Sequence, residues 1–148
     1  MPYERSWRIS IRTPREAVFQ YLTDVSRHVE WGSDMTKSAA QEGGPPAVGK
    51  RYDTEGTLNG KANSSVVTIT EMDAPRRFAF DAEDRNSVFH HEFTLSGDTG
   101  ETQLARRMTM TRGPFLNPIM LRIFQGVIDK NYNGALEKLK AKMEAGAP

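Results

Sequence analysis

Apolar and polar residues alternate over most of this chain, and a helical spacing replaces the alternation only in the last third. Trp7, Ile9 and Ile11 interleave with Arg8, Ser10 and Arg12. That two-residue period predicts a strand with one buried face. From Asn117 onward the apolar positions are Leu121, Phe124, Ile128, Tyr132, Ala135, Leu139 and Met143. Steps of three and four place them on one face of a long helix. Arg122, Asp129, Lys130, Asn133, Glu137 and Lys140 fall on the other side. Pro118 suits the first turn, where its missing N–H is not needed, and Gly146 and Pro148 lie just past the end.

The segments between these ends follow in a consistent order. In Thr13-Pro14-Arg15-Glu16, Thr13 is the expected N-cap, Pro14 the first helical residue and Glu16 the partner in a capping box. That helix presents Val18, Tyr21, Leu22 and Val25, and a second short helical turn is expected from Asp24 to Trp31. Strands are expected over Met35–Ala40, Lys50–Leu58 and Lys61–Met72, the last rich in β-branched residues. Asn59-Gly60 is a tight-turn dipeptide, and Gln41 to Gly49 reads as a loop. Further strands are expected around Phe78 and Phe80, over Phe89 to Leu95, and over Thr102–Thr111. The order is β-α-α-β-β-β-β-β-β-α, an α+β chain. Sequential strands joined by short turns predict an antiparallel meander. One long helix laid across such a sheet covers a core with one half and can roof a chamber with the other.

Composition narrows the partners. The 148 residues are expected to form one domain, 1–148, large enough to bury about 70% of the unfolded surface. Twenty Lys and Arg against 19 Asp and Glu leave a formal charge of +1, which demands neither nucleic acid nor a membrane. No cysteine is present, so disulfides, thiolate metal sites and a cysteine nucleophile are excluded. No apolar run is long enough to span a bilayer and the N-terminus has no signal-type stretch, so a cytoplasmic protein without membrane insertion is expected. Arg5, Arg8, Arg12 and Arg15 alternate with apolar residues and read as a solvated outer sheet face. His90-His91-Glu92 suggests a metal cluster at first sight. Adjacent strand residues point to opposite faces, so His90 and His91 cannot chelate together, and no metal or other cofactor is expected. No G-x-S-x-G motif or phosphate-binding glycine loop is present.

Several segments carry a resemblance. Thr13 to Val25, ending in His28-Val29-Glu30-Trp31, resembles the opening of the SRPBCC superfamily, also called the START or helix-grip fold. Val48-Gly49-Lys50-Arg51-Tyr52 is similar to that group's strand entry, and Thr70-Glu71-Met72-Asp73-Ala74-Pro75-Arg76-Arg77-Phe78 to its turn before the next strand. Thr99-Gly100-Glu101-Thr102-Gln103-Leu104 is similar to its approach to the last strand. The group includes polyketide cyclase/dehydrase-like proteins and pathogenesis-related plant pollen allergens. The resemblance implies a curved antiparallel sheet gripping the C-terminal helix, with a hydrophobic chamber between them. It does not choose among carriers, cyclases and lipid-transfer proteins, because function lives in sites grafted on folds.

Strand parity nominates the lining. Phe89, Phe93 and Leu95 share one face, and His91 shares it with them. Leu104, Met108 and Met110 share one face of the last strand, and Arg106 falls on it. Arg106 reads either as a ligand contact or as a charge that snorkels to the mouth or pairs with a carboxylate. His91 reads either as a satisfied core histidine or as a polar group on the cavity. Tyr52 and Thr54 lie on one parity and add hydroxyls, and Trp31 sits where the short helices meet the sheet. Trp31, Tyr52, Thr54, Phe89, His91, Phe93, Arg106 and Met108, with Leu121, Phe124 and Ile128 from the helix, form the candidate ligand site. Two functions remain open: binding of a small hydrophobic or amphipathic ligand (polyketide-like, aromatic, quinone or lipid), or a cofactor-independent cyclase/dehydratase using His91, Arg106 and Tyr52. Ile119 and Ile123 lie off the apolar stripe and offer a surface for a partner or a homodimer.

Overall fold

A computed structural model of the protein describes residues 3–32, 35–58, 61–113 and 117–146, without the side chains of Leu58, Pro118 and Leu121. The Asn59-Gly60 turn and the Leu121 lining position therefore lie outside the described residues. The elements are β1 (Tyr3–Ile11), α1 (Arg15–Leu22), a short 3₁₀ helix (Val25–Glu30), β2 (Met35–Ala40), β3 (Arg51–Leu58), β4 (Lys61–Asp73), β5 (Arg77–Glu83), β6 (Val88–Ser96), β7 (Thr102–Arg112) and α2 (Pro118–Glu144). The strands form one antiparallel sheet in the order β1-β7-β6-β5-β4-β3-β2. This is the helix-grip arrangement, with α2 across the sheet.

The expected periods hold in the burial pattern. On β1, Tyr3, Trp7 and Ile11 are buried while Glu4, Ser6, Arg8 and Ser10 are exposed. Arg5 departs from the expected outer face. It has the inward parity, is half-buried, and donates with Trp7 Nε1 to the Asp129 carboxylate on α2, at 3.1 Å from Arg5 Nε and 3.0 Å from the indole. Asp129, expected on the solvent side of α2, is thus drawn back to the sheet by two donors. The Trp7 ring also stacks on Tyr132 at 4.5 Å. These contacts fasten α2 to the β1 edge.

The start of α1 also differs from expectation. Pro14, not Thr13, holds the cap position, and no side chain caps the helix. The Thr13 carbonyl instead accepts a 2.7 Å bond from the Thr102 hydroxyl. The other two helix starts follow the pattern. Asp24 accepts from Ser26 N at 3.2 Å, and Asn117 accepts from Ile119 N at 2.9 Å.

The interior divides along the strands. At one end, the C-terminal half of α2 packs Ala135, Leu136, Leu139 and Met143 into a core with Ile11, Leu22, Leu95 and Leu104. Leu136, four residues after Tyr132 and three before Leu139, joins the same stripe. Toward the other end, a chamber opens between the sheet and the first half of α2.

Candidate functional site

The chamber has a volume of about 260 Å³ and lies between the inner sheet face and the first half of α2. Its sheet wall comes from consecutive strands through matching register. Phe80 faces His91, His91 faces Met108, and Ala82 faces both Phe89 and Val67. Thr54 and Ser65 continue the wall on β3 and β4, where the Thr54 hydroxyl donates to the Ser65 carbonyl at 3.1 Å and pairs with its hydroxyl at 2.6 Å. Phe124, Ile128 and Tyr132 form the helix side, and His28 and Trp31 close the end nearest the 3₁₀ helix.

Arg106 and His91 occupy the floor. Both are buried, at 7% and 4% exposure. Arg106 pairs directly with Phe93 and lies diagonal to His91. The β6–β7 turn sets this register, and Gly97 within it takes a φ of +121°, where a side chain would be strained and would meet the Glu101 carbonyl. The ladder irregularity on β6 falls between Val88 and Phe89, short of His91, so the parity survives. The guanidinium reaches His91 Nδ1 from Nη2 at 3.1 Å and from Nε at 3.4 Å. Its carbon sits 4.6 Å from the Tyr132 ring centroid and 4.9 Å from that of Phe93. Among the described residues no carboxylate lies within salt-bridge distance of it. The expected alternative of a carboxylate partner is therefore absent from the described residues.

Burial governs the electrostatics. Desolvation pushes the Arg106 guanidinium down to about 10, which still leaves it charged at neutral pH. Desolvation and then the Arg106 charge hold the His91 imidazole well below the usual range, so His91 is neutral. Guanidinium has no acceptor, so His91 Nδ1 must accept and the ring proton sits on Nε2. Burial lowers His28 to about 4, and its Nε2–H donates to the Leu22 carbonyl at 2.7 Å.

Most of the expected site residues line the chamber: Trp31, Thr54, Phe89, His91, Arg106, Met108, Phe124 and Ile128. Tyr52 and Phe93 do not, although both are buried on the inward face. Tyr52 sits near Lys50 and under the 3₁₀ helix, and Phe93 packs against Phe78 at 6.0 Å between ring centroids. Each is one alternation too far toward the packed end. His28, Phe80 and Tyr132 are lining residues that the sequence did not nominate. His90 points outward, with Nδ1 2.6 Å from Asp81 and Nε2 3.2 Å from Glu92. Among the described residues no group of three His, Asp or Glu side chains could hold a metal, and no helix is long and apolar enough to cross a membrane.

A family model described as polyketide cyclase / dehydrase and lipid transport matches residues 6–144. The chain belongs to this family. Solved structures share its fold at low identity. The Zhui aromatase/cyclase from Streptomyces sp. R1128 matches with a TM-score of 0.79 at 16% identity, over 97% of this chain and 94% of that one. A START superfamily protein from Mycobacterium smegmatis matches at 0.77 and 10% identity, over 95% and 98%. A protein of Thermus thermophilus matches at 0.78 and 15% identity, over 99% and 100%. At these identities the likeness is one of fold. No curated protein sequence matches the chain.

Proposed function

We propose that this member of the family binds a small hydrophobic or amphipathic molecule in the chamber between the sheet and α2. The observation that carries this reading is the chamber itself, about 260 Å³ walled mainly by Phe80, Ala82, Phe89, Met108, Phe124 and Ile128. Burying a ligand's apolar surface there supplies about 25 cal/mol per Å² before the costs of association. The few polar groups on the wall fix orientation rather than supply the driving force.

A second reading, a cyclase/dehydratase, rests on Arg106 and His91 meeting inside the chamber and on the family's name. It is the weaker one. General base catalysis works best with a pKa near the operating pH. The His91 lone pair is occupied by Arg106, and His28 is pushed to about 4. Tyr52 stands off the wall. In this reading Arg106 would stabilise an enolate or carbonyl oxygen, with His91 as a hydrogen-bond donor beside it.

Titration with N-phenyl-1-naphthylamine, a neutral probe that fluoresces in apolar surroundings, tests the binding reading. We expect saturable enhancement that Phe124→Ala weakens. No enhancement by the folded protein would overturn it. Native mass spectrometry of protein purified from its own host then gives the ligand's mass.

A further inference from the structure

We infer that the chamber takes an organic anion, an apolar body ending in a carboxylate or an equivalent delocalised oxyanion, with that end held by Arg106 and the Nε2–H of His91. This rests on the chamber being a binding site and adds the chemical class of its occupant.

The argument starts from the charge balance of the floor. Arg106 is buried and cationic, and its contacts among the described residues are all neutral: His91 Nδ1 and the rings of Tyr132, Phe93 and Trp31. Ring faces attract a cation without neutralising it. A buried charge without a counter-ion is costly, and folded proteins keep such charges paired. Two half-buried carboxylates on the elements that flank the chamber are committed elsewhere. Asp129 accepts from Arg5 and Trp7, and Glu30 accepts from Tyr21 and Arg27. Among the described residues the one acidic group acting on Arg106 is the Tyr132 phenol, which burial keeps protonated. The described residues supply no counter-charge, and an anionic end of a ligand would supply it.

The second observation is the kind of hydrogen-bonding capacity left over. His91 spends its lone pair on Arg106, which leaves Nε2–H, a donor without a protein partner among the described residues. The indole N–H of Trp31, another wall residue, is buried with no acceptor among them. Thr54 and Ser65 are satisfied by each other. Around the guanidinium, the unspent groups of His91 and Trp31 are donors, and the Tyr132 hydroxyl can donate as well. An acceptor-only head satisfies them; an alcohol brings a further donor and no charge, and an amine is itself cationic at neutral pH. The guanidinium fork also matches a carboxylate's two oxygens. The apolar wall of Phe80, Phe89 and Ile128 takes the rest of the molecule.

The test compares 2-naphthoate with its methyl ester, which keeps the ring and removes the charge. Each competes against the neutral probe on the intact protein. We expect the acid to displace the probe at a concentration at least about tenfold lower than the ester does. In Arg106→Gln the acid should lose that advantage while the ester competes as before. Equal competition by acid and ester, or competition by the ester alone, with the probe bound, overturns the anion inference and leaves the binding site standing. No probe binding at all overturns the binding reading, and this inference with it. The wild-type comparison decides the matter even if Arg106→Gln fails to fold.

Discussion

Arg106 Nη2 lies 3.1 Å from Nδ1 of His91, so the guanidinium fixes which nitrogen of the imidazole carries the proton. Arginine donates and cannot accept, which makes Nδ1 the acceptor and Nε2 the N–H. Burial and the adjacent cation both oppose protonation. Long-range ¹⁵N–¹H correlation spectra should therefore show His91 as the neutral Nε2–H tautomer at pH 7, still neutral where free histidine is charged. A rapidly exchanging mixture of tautomers would mean that the Arg106 contact is not held in solution. In Arg106→Gln the fixed preference should disappear.

His28 gives the fold a defined sensitivity to acid. Its imidazole is buried, and desolvation lowers it from the ordinary 6.5 to about 4. The unfolded chain takes up this proton first, so stability is fully present above 6.5 and falls as the pH drops toward 4. A shift of that size corresponds to about 3 kcal/mol. His91 is shifted in the same direction and adds to the loss. Urea titrations from pH 7 to pH 4 should show the midpoint falling. His28→Gln, which can keep a donor toward the Leu22 carbonyl, should flatten that slope even if it lowers stability at pH 7. An unchanged slope in His28→Gln would show that other groups carry the acid sensitivity.

Strand parity makes much of this site legible, and depth along the strand is what it lacks. Alternation on β6 and β7 puts His91, Arg106 and Met108 on the inner face, where they line the chamber. The same alternation puts Phe93 and Tyr52 inward, but a two-residue period does not say where a packed core ends and a chamber begins. That border is set by α2, which packs into the core from Ala135 to Met143 and lines the chamber from Phe124 to Tyr132. His28 is not legible because its 3₁₀ turn has too few residues for a period, and its position depends on the carbonyl of Leu22. Charge alone assigns Arg5 and Asp129 to solvent. Their contact joins residues 124 positions apart, which no local pattern reveals.

The two halves of α2 should respond differently to truncation. Leu139 is fully buried in the packed end, whereas Phe124 is half-buried on the chamber wall. Leu139→Ala should cost about 2–5 kcal/mol of stability by opening a cavity in a core that cannot collapse. Phe124→Ala should leave stability closer to that of the parent and weaken binding of the neutral probe several-fold. Chemical denaturation paired with probe titration measures both in one preparation. Equal losses of affinity in the two variants, at unchanged stability, would contradict this division of the helix.

Arg106 should be a residue that the empty fold would be more stable without. A base whose pKa is lowered by folding opposes folding at every pH below its folded value. Here desolvation takes the guanidinium from 12.5 to about 10, so the whole cost is present at neutral pH. The cost is about 3 kcal/mol, offset in part by the His91 bond and the ring contacts. Arg106→Met replaces the charge with an apolar chain that adapts to irregular spaces, and buried charges often yield stability to such replacements. The ligand-free variant should therefore unfold at a higher temperature than the parent, by a few degrees for about 1 kcal/mol gained. Since Arg106→Met also frees Nδ1 of His91, adding His91→Phe to it should preserve or extend the gain. With 2-naphthoate present the order should reverse, because only the parent can pair with the anion and be stabilised by it. A ligand-free Arg106→Met protein that melts well below the parent would mark Arg106 as a structural member of the core.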